Sequence, residues 1–320
     1  MYNINQLVSV TMITYNHDKY ISDAIEGILL QKTTFPVELI IGEDCSTDNT
    51  RSICIEYQQK YPERIRLFLS DRNLGMLPNF VNTLNACKGK YTCICEGDDY
   101  WTDPYKLQTQ VDFLEANPEY IACCHNVMVK NEIENNLYQM WPWEYDRDFT
   151  VEDIAEGNKI STLSIVFRNK KEIIEKLSAF IDKHPDTPVG DYVLNLFLAQ
   201  KGKIRYFHNI MGIYRIHINS NHSSIVTNYQ KYSDLLKKWI NMLFNLMDYS
   251  DKNTVKHLKL QFLNKTDEVL FLDYKNKNTK EALRMSFILL KYIIYHDKSK
   301  IRLLFSIFYR TITSLFLVKK

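Results

Sequence analysis

The sequence predicts an α/β protein: a mostly parallel central sheet with helices on its flanks, followed by a helical C-terminal region. Three observations predict it. Short apolar runs alternate with segments of helical period from residue 7 to about residue 129, the signature of strands joined by crossover helices. Polar and acidic clusters follow three of those runs directly, where an open parallel sheet collects its ligands. Beyond Ser224, Gly and Pro vanish and long helical patterns such as YQKYSDLLKKWINMLFNLM run toward the end.

In chain order, the first strand covers 7–14. Ile21, Ala24, Ile25, Ile28 and Leu29 then recur at helical spacing, and VELIIGE (37–43) reads as a short strand buried on both faces. A helix over 50–60, a strand over 65–70, a loop holding Asn73 and Gly75, a helix near 79–86 and a strand over 91–95 repeat the pattern. After an acidic turn, Leu107, Val111 and Leu114 mark the inward face of a helix over 104–116, and a strand covers 120–129. The stretch 135–150, rich in Tyr, Trp and Asp, has no period and reads as a long loop, a candidate acceptor lid. A later helix is expected over 192–200. We divide the chain at residue 222: a first domain with halves 1–100 and 101–222, and a helical domain over 223–320.

A chain of 320 residues with 45% hydrophobic content can bury a sizeable core. Its formal charge of +2 gives no global attraction for nucleic acid, so no nucleic-acid partner is expected. The seven cysteines include Cys93-x-Cys95 and Cys123-Cys124, which fit neither a disulfide framework nor paired zinc-ligand spacing, so reduced thiols are expected. The polar start MYNINQL lacks a secretory signal, which points to the cytoplasm. No run of 18 apolar residues marks a membrane span. In the last segment, Arg302, Ser306, Arg310, Thr313 and Lys320 share one helical face while Leu303, Leu304, Ile307, Phe308, Ile312, Leu315 and Phe316 fill the rest. Two readings stand for this basic amphipathic helix: packing on its neighbours, or peripheral contact with an anionic membrane.

The polar clusters after the strands are Thr14-Tyr15-Asn16-His17, then Glu43 to Asp48, then Glu96-Gly97-Asp98-Asp99-Tyr100-Trp101. Three carboxylates within four residues, Glu96, Asp98 and Asp99, repel one another unless a cation sits among them, and hard oxygen ligands suit Mg2+ or Mn2+. Gly97 permits the tight turn. The alternative is a solvated turn that caps the next helix. Asp44, fixed at a strand end, can accept the imide N–H of a uracil ring, while Ser46 or Thr47 caps the helix that follows. His217 and Arg215 lie at another strand end, where a metal ligand and a phosphate contact compete with a core histidine and a structural ion pair. Trp101 either stacks on a sugar or anchors the turn, and we favour the anchor.

Taken together, VSVTMITYNHDKYI, IIGEDCSTDNT, the run from Asn73 to Gln110, GDYVLNLFLAQKGKIRYF and YRIHINSNHSS resemble, in that order, the family-2 inverting glycosyltransferases with the GT-A fold. The resemblance covers about residues 7–222. It implies transfer of a sugar from a UDP-sugar to a glycan or lipid-linked acceptor, with Mn2+ or Mg2+ as cofactor. It implies that Thr14, Tyr15 and Asn16 line the nucleoside pocket with Asn73, Glu96 and Gly97, and that Asp44 reads the base. Asp98 meets the ribose or metal, Asp99 ligates the metal, and His217 approaches it. Asp191 is the general base, although many relatives carry two acidic residues where this chain has Gly190-Asp191.

A sugar nucleotidyltransferase would want a glycine-rich loop after the first strand, and TYNHDKY has none. A non-catalytic glycan-binding or scaffold descendant is the other alternative, set against the joint presence of Asp44, Asp98, Asp99 and Asp191. Processive synthases of the same broad family carry membrane spans and a Gln-x-x-Arg-Trp stretch, both lacking here, so a single transfer is favoured. The resemblance then points to bacterial surface-polysaccharide assembly at the inner face of the cytoplasmic membrane.

Overall fold

The structure, a computed structural model, describes residues 8–218 and 229–275. They form two compact units, one ending at Ile218 and a helical one beyond it that also takes in residues 186–188. The basic amphipathic stretch 301–320 lies outside the described residues.

The first unit is built on one ten-stranded sheet. One side of it holds β1 (Val8–Thr14), flanked by parallel β2 (Val37–Glu43) and parallel β4 (Tyr91–Ile94), with β3 (Ile65–Leu69) outside β2. β1 and β4 are buried almost end to end, as expected for parallel strands covered on both faces. The crossover helices α1 (Ile21–Leu29), α2 (Thr50–Lys60) and α3 (Met76–Asn85) return the chain between them. In α1, Ile21, Ala24, Ile25 and Ile28 face the sheet, the one-sided apolar stripe of a helix on a core.

Because strands β1, β2 and β3 are laid down in one direction and β4 on the other side of β1, the order reverses beside β1. At such a switch point the loops beyond the strands' carboxyl ends diverge and leave a crevice. The register aligns Thr14 with Glu43, so the polar turns after β1 and β2 start side by side. The amide of Gly97 donates to the Ile13 carbonyl at 3.0 Å, which brings the acidic turn after β4 to the same place.

The second half of the sheet adds β5 (Tyr100–Trp101), α4 (Lys106–Ala116), β6 (Tyr120–Asn131), β9 (Val166–Arg168) and β10 (Lys203–Ile216). Antiparallel β9 sits between β4 and β6, and β10 runs parallel to β6. β5 pairs antiparallel with β10 at Gly212 and Ile213, which ties the acidic turn to the strand that ends beside His217. The sheet is therefore mostly parallel and helix-covered, as the sequence predicts. The helices α6 (Lys171–Lys183) and α7 (Gly190–Ala199) pack together, and α7 is buried along nearly its whole length.

The stretch 135–150 departs from the expected loop. It carries β7 (Asn136–Gln139), paired with β6, and β8 (Arg147–Phe149), paired with β10, followed by α5 (Val151–Ala155) capped by Thr150 and Asp153. Strands of four and three residues are too short to show a period, and Trp143 is held edge-on against Tyr206 and Phe149 at ring separations of 5.2 and 5.6 Å. The seven cysteines are all free thiols, and Cys54, Cys93, Cys95, Cys123 and Cys124 are buried.

The second unit contains an antiparallel-type helical hairpin, α8 (Tyr229–Met247) and α9 (Lys252–Lys275), joined by a turn in which Asp251 accepts from the Asn253 and Thr254 amides at 2.9 Å. Leu236, Ile240, Leu243 and Leu246 of α8 and Leu258, Phe262 and Val269 of α9 form its core. Among the described residues, no helix is long and apolar enough to cross a membrane.

Candidate active site

The crevice is walled first by the loop after β1. Asn16 adopts a left-handed backbone (φ 57°), and its side-chain oxygen accepts the Thr47 amide at 2.8 Å while its own amide donates to the Ser46 hydroxyl at 3.0 Å. Ser46 and Thr47 thus tie two loops together instead of capping α2. The N-cap residue of α2 is Asn49, which makes no side-chain capping bond, while the carboxylate of Asp48 before it accepts the Thr50 amide at 2.9 Å and the Asp18 amide at 3.1 Å. Tyr15 is 41% exposed at the mouth of the crevice, and Thr14 is buried at its floor.

Asp44 is 2% exposed, and its two oxygens accept the backbone amides of Leu74 and Gly75 at 2.7 and 2.9 Å. It clamps the loop that carries exposed Asn73 onto the end of β2. Beside it, buried Glu43 accepts the Ser46 amide at 2.6 Å and pairs with Arg51.

The acidic turn has no room to spare. A β-carbon on Gly97 would lie 2.6 Å from the Thr14 hydroxyl and 3.0 Å from His17 Nδ1, so only glycine lets the turn approach this closely. Asp98 Oδ2 lies 3.2 Å from His217 Nε2 and 3.8 Å from His17 Nε2. Burial works against the Asp98 charge, yet the hydrogen bond with His217 and the attraction of His17 hold its carboxyl below the ordinary range. Burial lowers the His17 pKa while Asp98 pulls it the other way. Tyr20 lies against His217 at a ring separation of 4.4 Å.

Asp99, expected from the resemblance to ligate the metal, is buried beside Glu96 and Asp98. It is 1% exposed, Oδ1 accepts the Arg215 amide at 2.9 Å, and Oδ2 is buried without a hydrogen-bond partner among the described residues. Burial, then repulsion from Asp98 and Glu96, pushes its carboxyl well above the ordinary range. Glu96 is pushed up to about 8 by burial and by the charges of Asp98 and Asp191. Two overlapping groups could therefore hold a cation, His17–Asp98–His217 and Glu96–Asp98–Asp99, with ligand atoms in each within 4.8 Å of one another. Crowded carboxylates, an unpartnered buried oxygen and imidazoles at hand are the donor set a divalent ion satisfies.

Arg215 and Trp101 both have structural partners. Arg215 is buried, pairs with Asp23, donates to the Asp98 carbonyl at 3.1 Å and stacks on Tyr100 at 4.3 Å. Trp101 is 4% exposed, donates from Nε1 to the Leu163 carbonyl at 2.9 Å and carries the Lys106 ammonium over its ring at 4.1 Å, so it anchors the turn and offers no face to a sugar or acceptor. Trp101→Ala should cost about 3–5 kcal/mol, the usual loss for a buried aromatic, measured as a fall in the midpoint of urea unfolding.

Asp191 occupies the first turn of α7, where the helix dipole favours a carboxylate. Gly190 before it lies under α3: a β-carbon there would meet Leu77 and Phe80 at 3.0 and 3.1 Å, which accounts for the missing second acid. Asp191 Oδ2 accepts from Thr162 at 3.0 Å and Asn158 at 3.1 Å, and Oδ1 accepts the Tyr192 amide at 2.8 Å. Thr162 opens the short 3-10 turn Thr162–Ser164, whose Leu163 holds Trp101. One turn thus braces both the acidic turn and Asp191. Sequence reasoning missed Asn158, Thr162 and His17; only His17 lay inside a cluster that the strand-end rule had marked.

Comparison with known proteins follows the same outline. The family described as glycosyl transferase family 2 matches residues 9–183. An uncharacterised protein of Mycobacterium tuberculosis is 36% identical over 229 residues, 70% of this chain and 63% of that protein, so the chain spans less than two thirds of that relative's length. In structure the chain is similar to S. aureus TarS 1–349 in complex with UDP-GlcNAc (TM-score 0.59, 16% identity, 81% of this chain and 72% of that one). It is also similar to the mannosyltransferase PcManGT of Pyrobaculum calidifontis, in complex with GDP-Man and Mn2+ (TM-score 0.57, 15% identity, 99% and 89%). With the family matched across more than half of its length, the chain belongs to glycosyl transferase family 2.

Proposed function

We propose that this chain transfers one sugar, with inversion, from a nucleotide-diphosphate donor to a hydroxyl of a glycan or lipid-linked acceptor, using a divalent cation, Mn2+ or Mg2+. The observation that carries this reading is the joining of two chemical poles: Asp98 meets His217 at 3.2 Å, and the acidic turn it sits on is tied through Trp101 and Leu163 to the 3-10 turn whose Thr162 holds Asp191.

The nucleoside lies along Thr14, Tyr15, Asn16, Asn73, Glu96 and Gly97. Asp44 holds the 73–75 loop there and keeps lone pairs on its carboxylate for a base imide N–H. UDP-sugars are the first donors to test, because an imide edge suits that carboxylate and TarS is seen with UDP-GlcNAc. A cation held by Asp98 and His217 would offset the charge that gathers on the departing diphosphate. The Asp191 carboxylate takes the acceptor hydroxyl proton as that oxygen bonds to the anomeric carbon. The bond from that carbon to the diphosphate breaks with its electron pair, and nucleoside diphosphate leaves from the opposite face.

Thr162 and Asn158 hold the Asp191 carboxylate in place through hydrogen bonds to Oδ2. Thr162→Val should lower kcat about ten- to hundredfold, the value of one hydrogen bond to a charged group, with donor binding unchanged by calorimetry. The acceptor belongs, in this reading, to bacterial surface-polysaccharide assembly, and the basic amphipathic pattern of 301–320 supports contact with the anionic membrane face where lipid-linked acceptors sit.

The test is a panel of UDP- and GDP-sugars incubated with the chain and Mn2+, reading nucleoside diphosphate release, with the anomeric configuration of the product assigned by NMR. Release from a UDP-sugar with inverted product is expected. A product of retained configuration would remove Asp191 from the role of base.

A further inference from the structure

We propose that His17 is a third protein ligand of the divalent ion, and that a set of two imidazoles and one carboxylate makes this site prefer transition-metal ions, Mn2+ among them, over Mg2+. The inference rests on the preceding reading that the crevice holds an ion.

Three observations carry it. First, the ligand atoms converge: Asp98 Oδ2 is 3.2 Å from His217 Nε2 and 3.8 Å from His17 Nε2, and the two rings stand perpendicular with centroids 6.0 Å apart. Neighbouring ligands around an ion with bonds of about 2.1 Å lie roughly 3 Å apart, so small side-chain adjustments close the set.

Second, His17 is held by its other nitrogen. Nδ1 lies 3.3 Å from the Thr14 hydroxyl and rests over Gly97, and the His17 amide donates to Thr50 Oγ1 at 2.7 Å. A histidine oriented by a hydrogen bond at one ring nitrogen presents the other to a metal, the usual arrangement around ligating imidazoles.

Third, the charge count favours this set over the three carboxylates. A dication ligated by Asp98 and two neutral imidazoles keeps a net charge of about +1 toward an incoming diphosphate, whereas ligation by Glu96, Asp98 and Asp99 would leave about −1. Asp99 also engages the Arg215 amide through Oδ1, which leaves it only Oδ2 for an ion. Imidazole nitrogen is a poor ligand for Mg2+, which demands oxygen and retains its water, and binds first-row transition ions progressively better along their series.

The experiment is electron paramagnetic resonance of Mn2+ bound to the full chain in the presence of UDP, with Mg2+ as competitor, on the wild-type protein, His17→Gln and Asp98→Ala. Wild type should hold Mn2+ against about a hundredfold excess of Mg2+, and His17→Gln should lose about tenfold or more in Mn2+ affinity with its Mg2+ affinity little changed. Spin-echo modulation should show two coupled imidazole nitrogens in wild type and one in His17→Gln; this readout needs only the wild-type protein should the variant fold poorly. One coupled nitrogen in wild type, or an unchanged Mn2+ to Mg2+ preference in His17→Gln, overturns the proposal while leaving an ion on Asp98 and His217. Absence of any Mn2+ signal change with wild type and UDP overturns the underlying reading as well.

Discussion

Asp191→Asn is expected to lower kcat by about 10²–10⁴-fold, the range contributed by a general base, while nucleoside diphosphate binding stays within about twofold. Asparagine keeps the size of the side chain and can still accept from the Tyr192 amide, but cannot take the proton of the acceptor hydroxyl. α7 itself should survive, since its stability comes from the buried face Tyr192 to Ala199. Steady-state kinetics with a donor identified from the panel, paired with calorimetry of UDP, separate the two effects. A variant that lost donor affinity with kcat intact would place Asp191 at the donor and leave the base unassigned.

The second large effect concerns Asp98, the residue shared by both candidate cation groups. At an ion concentration about 100 times its Kd, binding stabilises the fold by about 2.7 kcal/mol, or about 5–10 °C for a domain of this size. Mn2+ with UDP should raise the wild-type melting temperature by that amount, and Asp98→Ala should abolish the rise. The pH dependence has a definite sign. Burial, Asp98 and Asp191 raise Glu96 to about 8, so the folded state binds its proton more tightly than the unfolded chain does. That contribution is full below the ordinary carboxylate range and is lost as pH climbs through about 8. The metal-free protein should therefore melt lower at pH 8 than at pH 5, with Mn2+ narrowing the gap.

The fold was legible where chain-local signals were strong. β2 and α2 begin and end at the residues expected from the sequence, with the polar turn 44–49 between them and Pro36 before β2. The 135–150 stretch was opaque because β7 and β8 are too short to show a period, and β8 is held by pairing to β10, far along the chain. The site divides the same way. The strand-end rule located Thr14, Asp44 and Asp98, whose position depends on one strand each. It could not see that Asp44 would be engaged by the amides of Leu74 and Gly75, or that Arg215 would be taken up by Asp23 from α1. Those partners come from the loop before α3 and from helix α1, which only the tertiary fold brings to the strand ends. Asn158 and Thr162 carry no motif at all; they become visible only once α7 brings Asp191 beside the 162–164 turn.

We propose that the turns after β1 and β4 hold a nucleoside diphosphate through a divalent ion on Asp98. Isothermal titration of the purified chain with UDP, with and without Mn2+, tests it most directly. Binding with Mn2+ is expected, weakening at least about tenfold without it, because the cation carries much of the attraction for the diphosphate. Absence of binding by UDP and by GDP in the presence of Mn2+ would contradict it and favour a non-catalytic descendant of the family.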